Sequence, residues 1–294
     1  LFGIGTPTAP DFVLLDEAHS YEGVHGAHVA LTLARWRYLS QARPHFVALS
    51  ATLSDATNFM SNLTGVFSNR VELIQPVDAD DQEWVIEGME YLIALRGDPV
   101  SGASLLSTTI QSGMAINRIL DNMPRRISNG AFGTKNFLFT DKLDVTNRLY
   151  DQLRDAEGHD PRNHRAVGSL ANCRGTVQPD PMERWEVGQS WDMCEEIGHN
   201  LAFGTTPQII DRTSSQDAGL NRNATAVVAT ASLELGMDDP DVGAIIQHKA
   251  PQSAAAYLQR KGRAGRSRQM RPITVVVLSD YGRDRLVYQG YERL

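Results

Sequence analysis

The run FVLLDEAHS at 12–20 ends four apolar residues in two adjacent acids, Asp16 and Glu17. In open α/β sheets, ligands collect beyond the carboxyl ends of strands. Two carboxylates there suit a hydrated Mg2+, which keeps several waters and takes one or two protein carboxylates together with phosphate oxygens. The neighbouring acid is then placed to orient or deprotonate an attacking water. Far downstream, QRKGRAGR at 259–266 sets four cations into eight residues of a chain whose formal net charge is −7. Arginine's planar fork matches phosphate oxygens and keeps its proton. Each stretch also has a plainer reading when taken alone. An Asp-Glu pair after a strand is an ordinary polar loop start, and a cation cluster is an ordinary solvated patch.

Two further stretches add hydroxyls at strand ends. ALSAT at 48–52 offers Ser50 and Thr52, either to hydrogen-bond the acids and His19 or to cap a helix at 54–63. VVATASLELGMDD at 227–239 runs from a strand into a glycine-containing turn. Thr230 would project where that strand ends, and a hydroxyl beside backbone N–H groups suits a nucleic-acid phosphate. Asp238 suits a ribose hydroxyl or an arginine, although an ordinary strand–helix junction accounts for the same residues. AAAYLQRKGRAGRSR at 254–268 reads as a helix broken at Gly262 and Gly265, which permit a tight turn and set Arg263 and Arg266 three residues apart. An arginine brought from a second domain neutralises charge developing on a transferring phosphoryl group, an effect of ~10³–10⁵ in rate in GTPases.

These residues need strands to carry them. Short apolar runs fall at 12–15, 45–50, 136–140, 226–230, 243–248 and 273–279, rich in Val, Ile, Leu and Phe and without clean alternation. Parallel strands covered on both faces read this way. Helical spacing appears at 24–39, 105–123 and 142–157, with Asp141 placed to cap the last of these. Alternating strands and helices predict an α/β fold with parallel sheets. The first block closes near RVELIQP at 70–76, and the acidic stretch 78–84 reads as a connector. The expected domains are therefore 1–80 and 81–294, with 90–97 an early or edge strand of the second. Residues 158–225, rich in Gly, Pro, Asn and Asp around one helical segment at 190–201, read as an irregular insertion or functional loop.

Composition narrows the function classes. At 41% hydrophobic over 294 residues, the chain easily supplies a core. No stretch approaches the ~18 apolar residues of a membrane span, and no secretory signal pattern appears. Two cysteines make no disulfide framework and suit a reducing cytosol. The acidic balance excludes a protein coated in basic surface, so a polyanion must meet a local patch. Cys173, Cys194 and His199, with His159 and His164, fit no standard zinc spacing and read as structural. Trp185 and Trp191 read as packing residues in preference to base-stacking ones.

In this order and spacing, DEAH 16–19, SAT 50–52, FLFT 137–140, TASLELGMD 230–238 and QRKGRAGR 259–266 resemble motifs II to VI of the superfamily 2 helicases. The resemblance covers almost the whole chain except 158–225. It implies two RecA-like domains, the first incomplete at its amino terminus, forming a nucleic-acid-stimulated ATPase. Position by position, it implies that Asp16 and Glu17 hold Mg2+ and that Glu17 activates water. His19, Ser50 and Thr52 would couple hydrolysis to motion. Gly236, Asp238 and Gln259 would face the ATP, Arg263 and Arg266 its phosphates, and Thr140 and Thr230 the nucleic acid. ATP would fill a cleft between the domains. DEAHSYEGVHGAHVALTLARWR at 16–37 is similar to Lhr-like helicases and their repair relatives. That likeness implies DNA over RNA, 3′-to-5′ movement, and a partner subunit in a repair or defence complex. FLFTDKLDVTNRLYDQL at 137–153 and DRTSSQDAGL at 211–220 are similar to the helicase subunit of the DISARM anti-phage system.

The family's GxxxxGK[ST] phosphate loop does not occur; GIGTPT at 3–8 has no lysine. The expectation is a fragment whose missing amino-terminal part carries that loop, and which alone binds ATP poorly. Two alternatives stay open: a translocase that moves duplex without separating strands, and a non-catalytic nucleic-acid-binding scaffold that kept the fold.

Overall fold

The computed structural model describes residues 3–4, 8–50, 53, 55–75, 88–97, 104–121, 128–157, 208–213, 221–230 and 239–290. The chain divides into two compact units, Leu1–Trp84 and Val85–Leu294.

In the first unit, β1 (Phe12–Leu15) pairs in parallel with β2 (His45–Ala48), Leu15 opposite Ala48. The connection is α1 (Gly23–Ser40), and α2 (Ala56–Thr64) follows β2. Val13, Leu15, Phe46 and Ala48 form a core with Met60, Leu63 and Leu33 of the helices. Gly26 admits α1 at this angle: a Cβ there would stand 1.8 Å from the Tyr21 carbonyl oxygen. The cap of α2 is Asp55, whose carboxylate accepts from the Asn58 N–H.

The second unit holds a six-stranded sheet in the order β3-β8-β7-β4-β6-β5, parallel at every pairing. Its strands are β3 (Tyr91–Arg96), β4 (Lys135–Phe139), β5 (Ile210–Thr213), β6 (Ala226–Ala229), β7 (Val242–His248) and β8 (Ile273–Leu278). The helices are α3 (Leu105–Ile119), α4 (Leu143–Ala156), α5 (Ala254–Lys261) and α6 (Gly282–Gln289). One core joins Leu106, Ile110 and Met114 of α3 and Leu149 and Leu153 of α4 to Leu138, Val228, Ile246 and Val275 of the sheet. Phe137, Phe139, Val227, Ile245 and Ala264 form a second, and Tyr257, Ala250, Val276 and Leu278 a third. Alternate apolar residues of β4, β7 and β8 thus enter different cores, which is why these strands read as nearly continuous apolar runs.

Two expectations are corrected. Residues 158–225 are not wholly an excursion from the fold, because β5 lies within them and pairs with β6. Asp141 does not cap α4: the cap position is Lys142, with no side-chain cap bond. The helical segment expected at 190–201 and the cysteines, histidines and tryptophans of that stretch lie outside the described residues.

Candidate nucleotide and nucleic-acid site

The acids sit where β1 stops. The Leu49 N–H donates to the Leu15 carbonyl and the Ala18 N–H to the Leu49 carbonyl, both at 2.9 Å, so the two strand ends are stitched together. Between these bonds the chain must reverse sharply. Glu17 does this in the left-handed region, at φ 48° and ψ 48°. For a residue with a Cβ that conformation costs roughly 1–2 kcal/mol, and such strain is concentrated at functional sites. The Glu17 N–H donates to Asp16 Oδ1 at 2.9 Å. A 3-10 turn, Ala18–Ser20, follows at once and carries His19. His19 Nδ1 lies 3.1 Å from Ser50 Oγ and 3.4 Å from Glu17 Oε2. Asp16 is exposed, and Glu17 and His19 are half-buried. Thr52 lies outside the described residues.

The donor set fits a hydrated Mg2+. Two adjacent carboxylates stand at the strand end, while no group of three or more His, Cys, Asp or Glu side chains converges among the described residues. Mg2+ needs no all-protein cage, only one or two carboxylates with water and phosphate oxygens.

In the second unit, α5 is capped by Ser253, whose hydroxyl accepts from the Ala256 N–H, and ends at Gly262. The four cations of the cluster then part company. Arg260 is 3% exposed and turned inward: Nη2 lies 2.7 Å from Asp141 Oδ1, and Nη1 donates to Gln247 Oε1 at 2.7 Å. Lys261 pairs with Glu90 at 2.8 Å. Arg263 is half-buried and Arg266 exposed, and Gln259 is half-buried. Of the two glycines, Gly265 alone needs the special conformation, at φ +76°; a Cβ there would stand 2.6 Å from Pro272 Cγ. Gly262 keeps an ordinary right-handed backbone, φ −65°, so it is no exceptional turn residue.

Thr230 stands half-buried just past β6. Thr140, past β4, is 1% exposed, its hydroxyl bonded to Thr146 Oγ1 at 2.6 Å and to the Lys142 carbonyl at 3.1 Å. The hydroxyl expected to face nucleic acid there is engaged inside the domain. Gly236 and Asp238 lie outside the described residues. Sequence reasoning missed Arg260 and Asp141 as a pair; the available signal was Tyr257, three residues before Arg260 and therefore on the same helical face. It also missed His248, buried at the end of β7 with Nδ1 2.7 Å from Thr109 Oγ1. Burial first, and then the neighbouring Lys249 charge, push His248 down to about 4. Burial and Glu90 push the Tyr257 phenol up to about 12.

Residues 194–268 match the helicase conserved C-terminal domain. Lhr helicase/probable uracil glycosylase of Mycolicibacterium smegmatis is 62% identical over 261 residues, which is 88% of this chain and 16% of that protein. Among solved structures, the DUF1998 helicase MrfA bound to DNA superposes with a TM-score of 0.56 at 16% identity, over 96% of this chain and 31% of that one. The Mycobacterium smegmatis helicase Lhr bound to ssDNA and AMP-PNP gives 0.51 at 19% identity, over 90% of this chain and 28% of that one. The chain spans 16–21% of the length of the curated relatives that it matches over most of its own length. No helix among the described residues is long and apolar enough to cross a membrane. The structural neighbours show a RecA-like α/β fold, and the matched domain together with the helicase relatives supports a superfamily 2 helicase.

Proposed function

We propose that this chain supplies catalytic parts of an ATP-driven nucleic-acid motor, with DNA as the favoured track. The observation that carries the reading is the set Glu17–His19–Ser50, in which one imidazole nitrogen stands within 3.4 Å of both the acid and the hydroxyl of the next strand. A change in charge at the acid is thereby felt at the end of β2. Asp16 and Glu17 would hold Mg2+, which when bound screens the phosphate charge. Glu17 would orient the attacking water. Arg263 and Arg266 would take the phosphate charge and Gln259 the nucleotide, with Gly236 and Asp238 beside them. Thr230 would meet the strand backbone. Thr52 would join Ser50 in coupling hydrolysis to motion.

DNA is favoured because two curated relatives matched over most of this chain are named as helicase/uracil glycosylases, and a helicase bound to DNA is among the structural neighbours. Service in anti-phage defence, a partner subunit and a cytoplasmic setting are narrower proposals that rest on sequence likeness and composition. The deciding experiment measures ATP hydrolysis by the complete protein that carries this chain, with single-stranded DNA, duplex DNA and RNA in separate arms. Stimulation strongest with DNA supports the reading. Absence of hydrolysis with every polymer removes it and favours the scaffold. Unwinding assayed beside translocation then separates a helicase from a duplex pump.

A further inference from the structure

The cation cluster contains a residue whose chemistry is spent inside the fold. Arg260 belongs to α5, yet its guanidinium reaches the carboxyl ends of two strands. Nη2 lies 2.7 Å from Asp141 Oδ1, two residues past β4, and Nη1 donates to Gln247 on β7 at 2.7 Å. Its carbon centre stands 5.5 Å from the Phe139 ring centroid, within reach of a cation–π attraction. Asp141 Oδ1 makes no aligned hydrogen bond, so the attraction there is coulombic. Arg260 is 3% exposed, Gln247 1% and Phe139 0%. A buried guanidinium is stable only beside its carboxylate, so removing either partner leaves an uncompensated charge.

We infer that the Asp141–Arg260 pair is a positioning device that sets the rotation of α5 and so aims the loop carrying Arg263 and Arg266. This rests on the motor reading of those arginines. Three features make the anchor directional. The contacts fall on one residue of the last helical turn, immediately before the loop. They reach β4 and β7, adjacent central strands of the sheet. Lys261, next along, is tied to Glu90 at the start of β3, so consecutive residues are pinned to opposite parts of the sheet. The loop is fixed at its far side by the Gly265 N–H, which donates to the Val242 carbonyl of β7 at 3.1 Å. A short helix held at two azimuths, with its following loop tied back to the same strand, has little freedom to turn. A misplacement of about 1 Å at a catalytic group costs on the order of 10²-fold in rate.

The test uses the complete protein and compares wild type with Arg260→Lys and with the apolar double variant Arg260→Met/Asp141→Leu. Replacing both partners avoids a stranded charge and is commonly tolerated by the fold. The expected result is a double variant with melting temperature and nucleotide KM close to wild type but kcat lowered about 30- to 100-fold. Arg260→Lys, which keeps the charge and loses the fork, is expected between the two. A folded double variant with kcat within about threefold of wild type overturns the inference. Should the double variant fail to fold, Arg260→Lys decides: full kcat overturns, and reduced kcat at unchanged KM and melting temperature supports. Wild-type protein without ATPase activity instead removes the motor reading itself, a separate outcome.

Discussion

His19 Nδ1 and Ser50 Oγ meet at 3.1 Å across a sequence separation of 31 residues. The parallel pairing of β1 with β2 makes the meeting possible, because it puts Leu15 beside Ala48 and brings both strand ends to one edge. The same imidazole nitrogen is 3.4 Å from Glu17 Oε2. The acid that would orient water and the hydroxyl on the next strand therefore share one ring.

Ser50→Ala tests that relay. It removes the hydroxyl and leaves the acids untouched. The expected outcome is near-normal basal ATPase with nucleic-acid stimulation lowered about 5- to 10-fold, since a single hydrogen bond of this kind contributes roughly 1 kcal/mol. An equal fall in basal and stimulated rates would count against a coupling role.

Glu17→Gln keeps the shape and removes the charge. Turnover should fall about 10²- to 10⁴-fold, the range for loss of a general base, while ATP binding changes little. Arg266→Ala should also lower turnover strongly, with a modest loss of affinity. Steady-state hydrolysis and equilibrium binding of a labelled nucleotide check both variants. Normal turnover in either would remove the assigned role.

Gly265→Ala probes the loop. At φ +76° any side chain is strained, and its Cβ would meet Pro272 Cγ at 2.6 Å. A loss of about 1–3 kcal/mol in stability is expected, read by denaturant unfolding. Gly262→Ala, at an ordinary helical φ, should cost less than 1 kcal/mol or stabilise slightly. Equal effects at the two positions would contradict the distinction.

His248 predicts an acid sensitivity. Its ordinary value is 6.5 and its folded value about 4. Between those values the unfolded chain binds the proton and the folded chain does not. Stability from this residue is therefore full above pH 6.5, declines as pH falls toward 4, and is constant below that. The decline amounts to roughly 3 kcal/mol. Unfolding titrations from pH 7 to 4 should show it in wild type and lack it in His248→Asn. A wild-type slope matching the variant would disprove the assignment.

Much of the scaffold was written locally. FVLL became β1 residue for residue, and the apolar runs of the second unit became β4, β6, β7 and β8 within one or two residues of their expected ends. Strands buried on both faces are mostly apolar, and that leaves a mark in the sequence. IIDRT escaped because three of the four residues of β5 are polar and its surroundings are rich in turn-forming residues. Its strand character comes from pairing with β6, a partner 16 residues later in the chain at Ile210↔Ala226.

Residue types and order by themselves determined the α/β class, the pair of acids at a strand end and the presence of a cation cluster. Which cations face inward was decided by tertiary structure alone. Asp141 stands one residue before the cap position of α4, Lys142, and an N–H of the first turn was its expected partner. The guanidinium of Arg260, arriving from more than a hundred residues away, took the carboxylate instead, because a buried cation needs a counter-charge far more than an exposed helix end needs a cap. Local sequence sets what each residue can do, whereas only the assembled sheet and its helices set which charges it must neutralise.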